Sequence, residues 1–365
     1  MRPSSPPVRR MLAGIAASGL LSVGTIGAVW PGGDTHRPVQ GPPGAAAWPG
    51  AVAAVAPQAR APDPASAPPS QVRRFIERLT GAQRLRLERR APGVVGNLDG
   101  IPAQLRYTAN QRARRAAEPA GRPLPGHLLG YDPRGDGQVI EVFGDLESAR
   151  HVAVIVPGSG WSLRNLTGTG GRRHGADPIA AAEALRGQLE RLDRGARVAV
   201  VTWLGYDPPE RIDRQAMRSE RAEAGARALS RFVQGLPPGA HVSLLCHSYG
   251  AVVCGHAVAG VRVADLVALA APGMDVASAR ALGTSARVWA ARVGDDPMRW
   301  VPYARVAGFG HGADPTGRRF GARVLRTGTA SGHDGYYTPG TELLANLARV
   351  VLERTSEVTL VRHTG

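Results

Sequence analysis

A few short stretches of this chain hold residues whose types and spacing could do chemistry. His247-Ser248-Tyr249-Gly250 follows an apolar run at 242–246 and leads into a second from about Ala251. A serine that attacks acyl carbons needs a sharp strand-to-helix turn, with its hydroxyl exposed and the helix N-terminus beneath it. That elbow requires small residues two positions away on either side, usually glycine. Gly250 meets the requirement, and Cys246, small but not glycine, stands on the other side. The competing reading of Ser248 is a plain helix N-cap, so its partners decide.

Elbow serines are followed along the chain by an acid and then a histidine. Gly294-Asp295-Asp296-Pro297 comes after an apolar run at 288–291, which puts a carboxylate at the C-terminal end of an expected strand, where ligand chemistry collects in open α/β sheets. Asp296 is the first choice, with Asp295 and Asp275 in reserve; a solvated turn is the alternative for this pair. Gly332-His333-Asp334 precedes an expected helix over 342–352, so His333 stands where a general base belongs. His247 and His311 compete with it. Two backbone N–H groups must then face the oxygen that becomes negative. One is expected from Tyr249 and the other from Gly158 or Ser159, in the small-residue loop Pro157-Gly158-Ser159-Gly160-Trp161. That loop lacks the lysine and spacing of a phosphate cradle. Trp161, Trp203 and Tyr206 could line an apolar acyl pocket, or equally belong to the core. The chemistry calls for no cofactor, and no Cys/His cluster has zinc spacing.

The elements that must position these residues are legible from position 138 onward. Six short apolar runs, 139–143, 152–156, 198–203, 242–246, 266–269 and 288–291, read as strands. Several are apolar at consecutive positions, as in a parallel sheet covered on both faces. Helical patterns lie between them. One begins near Asp177-Pro178 and places Ala182, Leu185, Leu189 and Leu192 on one face. Alternation of this kind predicts an α/β fold with one mostly parallel sheet.

The N-terminal third differs. Arg2, Arg9 and Arg10 precede twenty uncharged residues, 11–30, long enough to cross a bilayer. The segment is expected to be an uncleaved signal-anchor or, alternatively, a signal peptide, with the rest of the chain outside the cytoplasm; its partner would be the membrane. Residues 31–70 carry ten prolines and are expected to form a disordered linker. Residues 71–127 read as helical, and Gly96-Asn97-Leu98-Asp99-Gly100-Ile101-Pro102 as a turn feeding a new helix. Asn97 and Asp99 are expected to be turn residues rather than substrate contacts. Residues 128–365 form the expected core domain. The net charge of +16 comes from 45 arginines and no lysine. They are dispersed, without a long basic tract or an aromatic-basic RNA motif, so nucleic acid is not an expected partner. Cys246 and Cys254, one closing a strand and one inside a helix, are expected to point apart and stay unbridged.

Taken together, Gly96-Asn97-Leu98-Asp99-Gly100-Ile101-Pro102-Ala103 with Asn110, Val156-Pro157-Gly158, Trp203-Leu204-Gly205-Tyr206-Asp207-Pro208-Pro209, His247-Ser248-Tyr249-Gly250, and Gly332-His333 with Tyr337 resemble a family of actinobacterial α/β-hydrolases of unknown function. The resemblance covers roughly residues 75–353. It implies an α/β-hydrolase fold, with Ser248, Asp296 and His333 as nucleophile, acid and base, and departs from the family's usual glycine at Cys246. The expected activity is that of a serine hydrolase on a small-molecule or lipid-like ester at the cell envelope. The alternatives are an acyltransferase using the same residues, or a catalytically silent binding or scaffold protein.

Overall fold

The computed structural model describes residues 41–117, 124–167 and 177–362. The expected membrane segment at 11–30 lies outside them, and no helix among the described residues is long and apolar enough to cross a membrane. The described residues form ten strands: β1 (His127–Asp132), β2 (Gln138–Phe143), β3 (His151–Val156), β4 (Val198–Leu204), β5 (His241–His247), β6 (Asp265–Leu269), β7 (Gly273–Val276), β8 (Arg287–Ala291), β9 (His311–Gly312) and β10 (Arg323–Val324). Eight of these form one sheet in the order β1-β2-β4-β3-β5-β6-β8-β10, and β7 pairs with β9 apart from it. The β1–β2 and β2–β4 pairs are antiparallel, while every later pair is parallel. All six expected strands are there. The four others were too short, or too poor in β-branched residues, to be read from sequence.

Consecutive burial along β3, β4, β5 and β6 reflects helices on both faces. Pro178–Leu192 packs beside Glu342–Val351, and Glu220–Gly235 beside Gly250–Ala257. Local chemistry fixes where these helices start. The Asp177 carboxylate accepts from Ile179 N–H at 2.9 Å ahead of Pro178, and Thr341 Oγ1 accepts from Leu344 N–H at 3.3 Å. The chain leaves β3 towards β4 on one side and leaves β5 towards β6 on the other. The crevice between the C-terminal ends of β3 and β5 is therefore the switch point where open α/β sheets bind ligands.

A second apolar core lies N-terminal to the sheet, built from Trp48, Val52, Phe75, Ile76, Leu87, Val94 and Leu98 among others. This corrects the linker expectation for residues 41–70: Trp48–Val55 is a helix, and Trp48 Nε1 donates to the Pro62 carbonyl at 2.8 Å. Proline content alone hid a buried Trp and two valines. The unit docks on β1 through side chains. Asn97 donates to Tyr131 O at 2.9 Å and accepts from Tyr131 N at 2.8 Å; Arg106 Nε reaches Leu129 O at 2.9 Å, and Asn110 Nδ2 reaches Leu128 O at 3.2 Å. These groups occupy the outer backbone of an edge strand, which would otherwise invite pairing with another chain. Asp99 pairs with Arg106 at 3.0 Å, so both Asn97 and Asp99 are structural.

The two cysteines overturn the expectation made for them, because Cys246 and Cys254 form a disulfide with Cα atoms 6.5 Å apart. The chain reverses so sharply after β5 that the second turn of the following helix returns over the strand end. The side chains then meet instead of diverging.

Candidate active site

Ser248 directly follows β5 and lies in the left-handed backbone region, φ 53°. A non-glycine residue held there costs about 1–3 kcal/mol and persists only where its surroundings enforce it. Here they do. Ser248 N donates to Leu269 O at 2.8 Å, the helix Gly250–Ala257 begins at once, and a Cβ on Gly250 would lie 2.4 Å from Val156 O. Cys246 fills the other small position as half of a disulfide, wholly buried, so the space glycine would leave open is occupied by sulfur.

Two loops from 85 residues away or less bring partners to this serine. Ser248 Oγ and His333 Nε2 are 3.1 Å apart, and His333 Nδ1 lies 2.9 Å from Asp296 Oδ1. Asp296 is fully buried. It also accepts from Met298 N at 2.8 Å and from the Tyr336 hydroxyl at 2.5 Å. Burial pushes its pKa up, but His333, Tyr336 and the Met298 N–H outweigh that and hold it below the usual carboxylate value. The His333 loop is pinned from two sides. Asp295 accepts from Gly332 N at 2.8 Å and from Ser331 Oγ at 2.7 Å, and His247 Nε2 meets His333 O at 2.8 Å. Burial, then the neighbouring His333, lower the His247 pKa to about 3, so His247 is neutral and donates to that carbonyl. A row of hydroxyl, imidazole and buried carboxylate can move a proton off the serine while the carboxylate fixes the imidazole tautomer.

Gly158 faces the elbow closely: a Cβ there would fall 2.7 Å from Ser248 Cβ and 3.1 Å from Tyr249 N. The N–H groups of Gly158, Ser159 and Tyr249 have no acceptor among the described residues. Chain that follows β3 is thus brought beside chain that follows β5, as the switch point requires.

Other candidates are placed elsewhere. Asp275 does not reach His333: it sits on β7 with φ 58° and is held by Ser219 Oγ at 2.5 Å, His256 Nε2 at 2.7 Å and His311 Nδ1 at 3.0 Å. Asp295 supports the loop and not the imidazole. Trp203 and Tyr206 are core residues, 1% and 3% exposed and stacked on each other, not pocket lining, while Trp161 is half-buried against the core. Sequence reasoning missed Tyr336 and the use of His247. His247 adjoins the serine, but a strand-end side chain gives no sign of which loop it will meet. Tyr336 lies beside Tyr337, the residue the motif drew attention to, whose hydroxyl is buried with no partner among the described residues.

Comparison with known proteins adds to this geometry. Residues 132–306 match a family model described as alpha/beta hydrolase. The chain has an α/β-hydrolase fold, and residues 132–306 are similar to that family. It is 28% identical to the uncharacterized protein Rv2079 of Mycobacterium tuberculosis, over 79% of this chain and 56% of that protein. It is 32% identical to the uncharacterized protein Rv0963c of the same organism, over 42% of this chain and 58% of that one. The chain therefore spans little more than half the length of these relatives. Among solved structures it is similar to an α/β serine hydrolase without lid from Xanthomonas campestris, at 16% identity and a TM-score of 0.36, over 64% of this chain and 95% of that one. It is also similar to the esterase PE8, at 17% identity and a TM-score of 0.38, over 58% of this chain and 96% of that one.

Proposed function

We propose that this α/β-hydrolase is a serine hydrolase that cleaves an ester through an acyl-enzyme on Ser248. The observation that carries the reading is the unbroken row from Ser248 Oγ through His333 to buried Asp296, set on a strained elbow. His333 Nε2 takes the serine proton as Oγ attacks the ester carbonyl, and Asp296 stabilises the imidazolium. The oxyanion faces the N–H of Tyr249 and that of Gly158 or Ser159. Collapse expels the alcohol, which receives the proton from His333. Water, deprotonated in turn by His333, then releases the acid and frees Ser248. We place the substrate at the cell envelope, with residues 11–30 as anchor or export signal. A buried disulfide supports that placement, since such bonds persist chiefly in oxidising compartments.

The test is labelling of the purified protein with a fluorophosphonate probe beside Ser248→Ala and His333→Ala. Labelling of the wild type alone is the expected result. A folded wild type that takes up no probe would sink the mechanism and leave a binding protein.

A further inference from the structure

Tyr206, outside the row of Ser248, His333 and Asp296, makes a contact that bears on it. It follows β4, and its ring is enclosed. One face stacks on Trp203, with centroids 5.9 Å apart and planes within 8°. Across from it the helix Glu220–Gly235 carries glycine at 225, where a Cβ would come 2.9 Å from Tyr206 Cδ2. Held this way, the hydroxyl has one described partner, the Pro157 carbonyl at 2.7 Å. That carbonyl closes β3 and opens the loop that faces the elbow.

The Pro157 C=O and the Gly158 N–H belong to one planar trans peptide unit, with no cis bond in the described chain. Fixing the oxygen fixes the N–H on the opposite side, because the unit turns only as a whole. The oxygen also lies close against the elbow, where only glycine leaves it room: a Cβ on Gly250 would fall 2.8 Å from it. Gly158, with no Cβ, would otherwise turn freely, carrying Ser159 with it. The Tyr206 hydroxyl holds the first peptide of a loop whose glycines give it little stiffness of its own.

We propose that Tyr206 is a positioning residue for the oxyanion hole, locking the Pro157–Gly158 peptide so that the loop's N–H groups stay beside Tyr249 N–H. This rests on the reading of Ser248 as an acylated nucleophile. A buried hydroxyl needs some acceptor, and any carbonyl would satisfy it. This one meets the carbonyl whose orientation sets where the loop's donors point. Loss of an oxyanion donor costs about 10²–10³ in rate, and a donor displaced but not removed costs less.

The experiment is steady-state hydrolysis of p-nitrophenyl butyrate by wild type, Ser248→Ala and Tyr206→Phe. Alongside it runs inhibition by butylboronic acid, which mimics the tetrahedral species once bonded to the serine. Tyr206→Phe is expected to lower kcat about 10- to 100-fold with KM within about twofold, and to weaken the boronic acid by the same factor as kcat. A merely structural hydroxyl would shift the melting temperature and leave those ratios alone. If Tyr206→Phe does not melt cooperatively, Gly225→Ala, which keeps the hydroxyl but crowds the ring, is expected to show the same paired loss. Wild-type kcat in either folded variant, with Ser248→Ala inactive, overturns the positioning role and spares the nucleophile. A wild type inert to both ester and fluorophosphonate overturns both.

Discussion

Asp295 and Asp296 are one step apart in the chain and differ in everything around them. Asp296 is sealed from solvent and bonded to His333, Tyr336 and Met298, whereas Asp295 is exposed and ties the base of the histidine loop through Ser331 and Gly332. If Asp296 orients the imidazole, Asp296→Asn keeps the shape and offers an amide where a carboxylate stood. The expected loss in kcat is then about 10⁴. Asp295→Asn retains an acceptor for Gly332 N–H and is expected to stay within about tenfold. Ester turnover by the two variants decides which carboxylate acts; equal losses would show that loop placement, not the buried charge, is what matters. Sequence put Asp296 first as a carboxylate on the loop after the apolar run 288–291, at the place before proline where the resembled family carries its acid. It did not show that Tyr336 would share this carboxylate, since a tyrosine among loop residues carries no sign of what its hydroxyl will meet.

At the scale of elements, the stretch from β5 into the helix Gly250–Ala257 turns sharply, and the disulfide closes it into a ring around Ser248. Removing a crosslink over a separation of eight residues frees the unfolded chain by about 2.5 kcal/mol in the chain-entropy account. Replacing both cysteines with alanine is expected to lower stability by about that much, read from the urea midpoint at unchanged slope. Loss of activity in a variant that remains folded would show the bridge holding the serine's backbone as well. The six strand runs, the elbow and the helix at Asp177-Pro178 were legible because period and caps are local signals. The bridge was not. Strand and helix were each read correctly at Cys246 and Cys254, but the angle between them comes from the positive φ of Ser248, which local sequence does not encode.

For the whole molecule, the N-terminal helical unit and the sheet are joined along the outer side of β1, with side chains taking the place of a neighbouring strand. Asn97→Ala would leave both the N–H and the C=O of Tyr131 without these partners. Each buried group so exposed costs about 1–3 kcal/mol. Hydrogen exchange at Tyr131 is expected to speed up before exchange in β5, with soluble aggregates as the edge opens; uniform exchange would mean the unit does not guard this edge. The motif around Asn97 and Asn110 was visible in sequence, yet its use as an edge cover was not, because β1 itself went unread there. The serine, the acid and the base reach one another over unequal stretches of chain: the ring around Ser248 spans eight residues, while the contact to His333 spans 85. During synthesis the bend can form as soon as its own few residues emerge, yet the serine has no partner imidazole until the loops carrying Asp296 and His333 have folded against it. If Ser248 is the nucleophile, a nascent molecule carries that atom shaped but unarmed, and would gain activity only once the histidine loop closes on it.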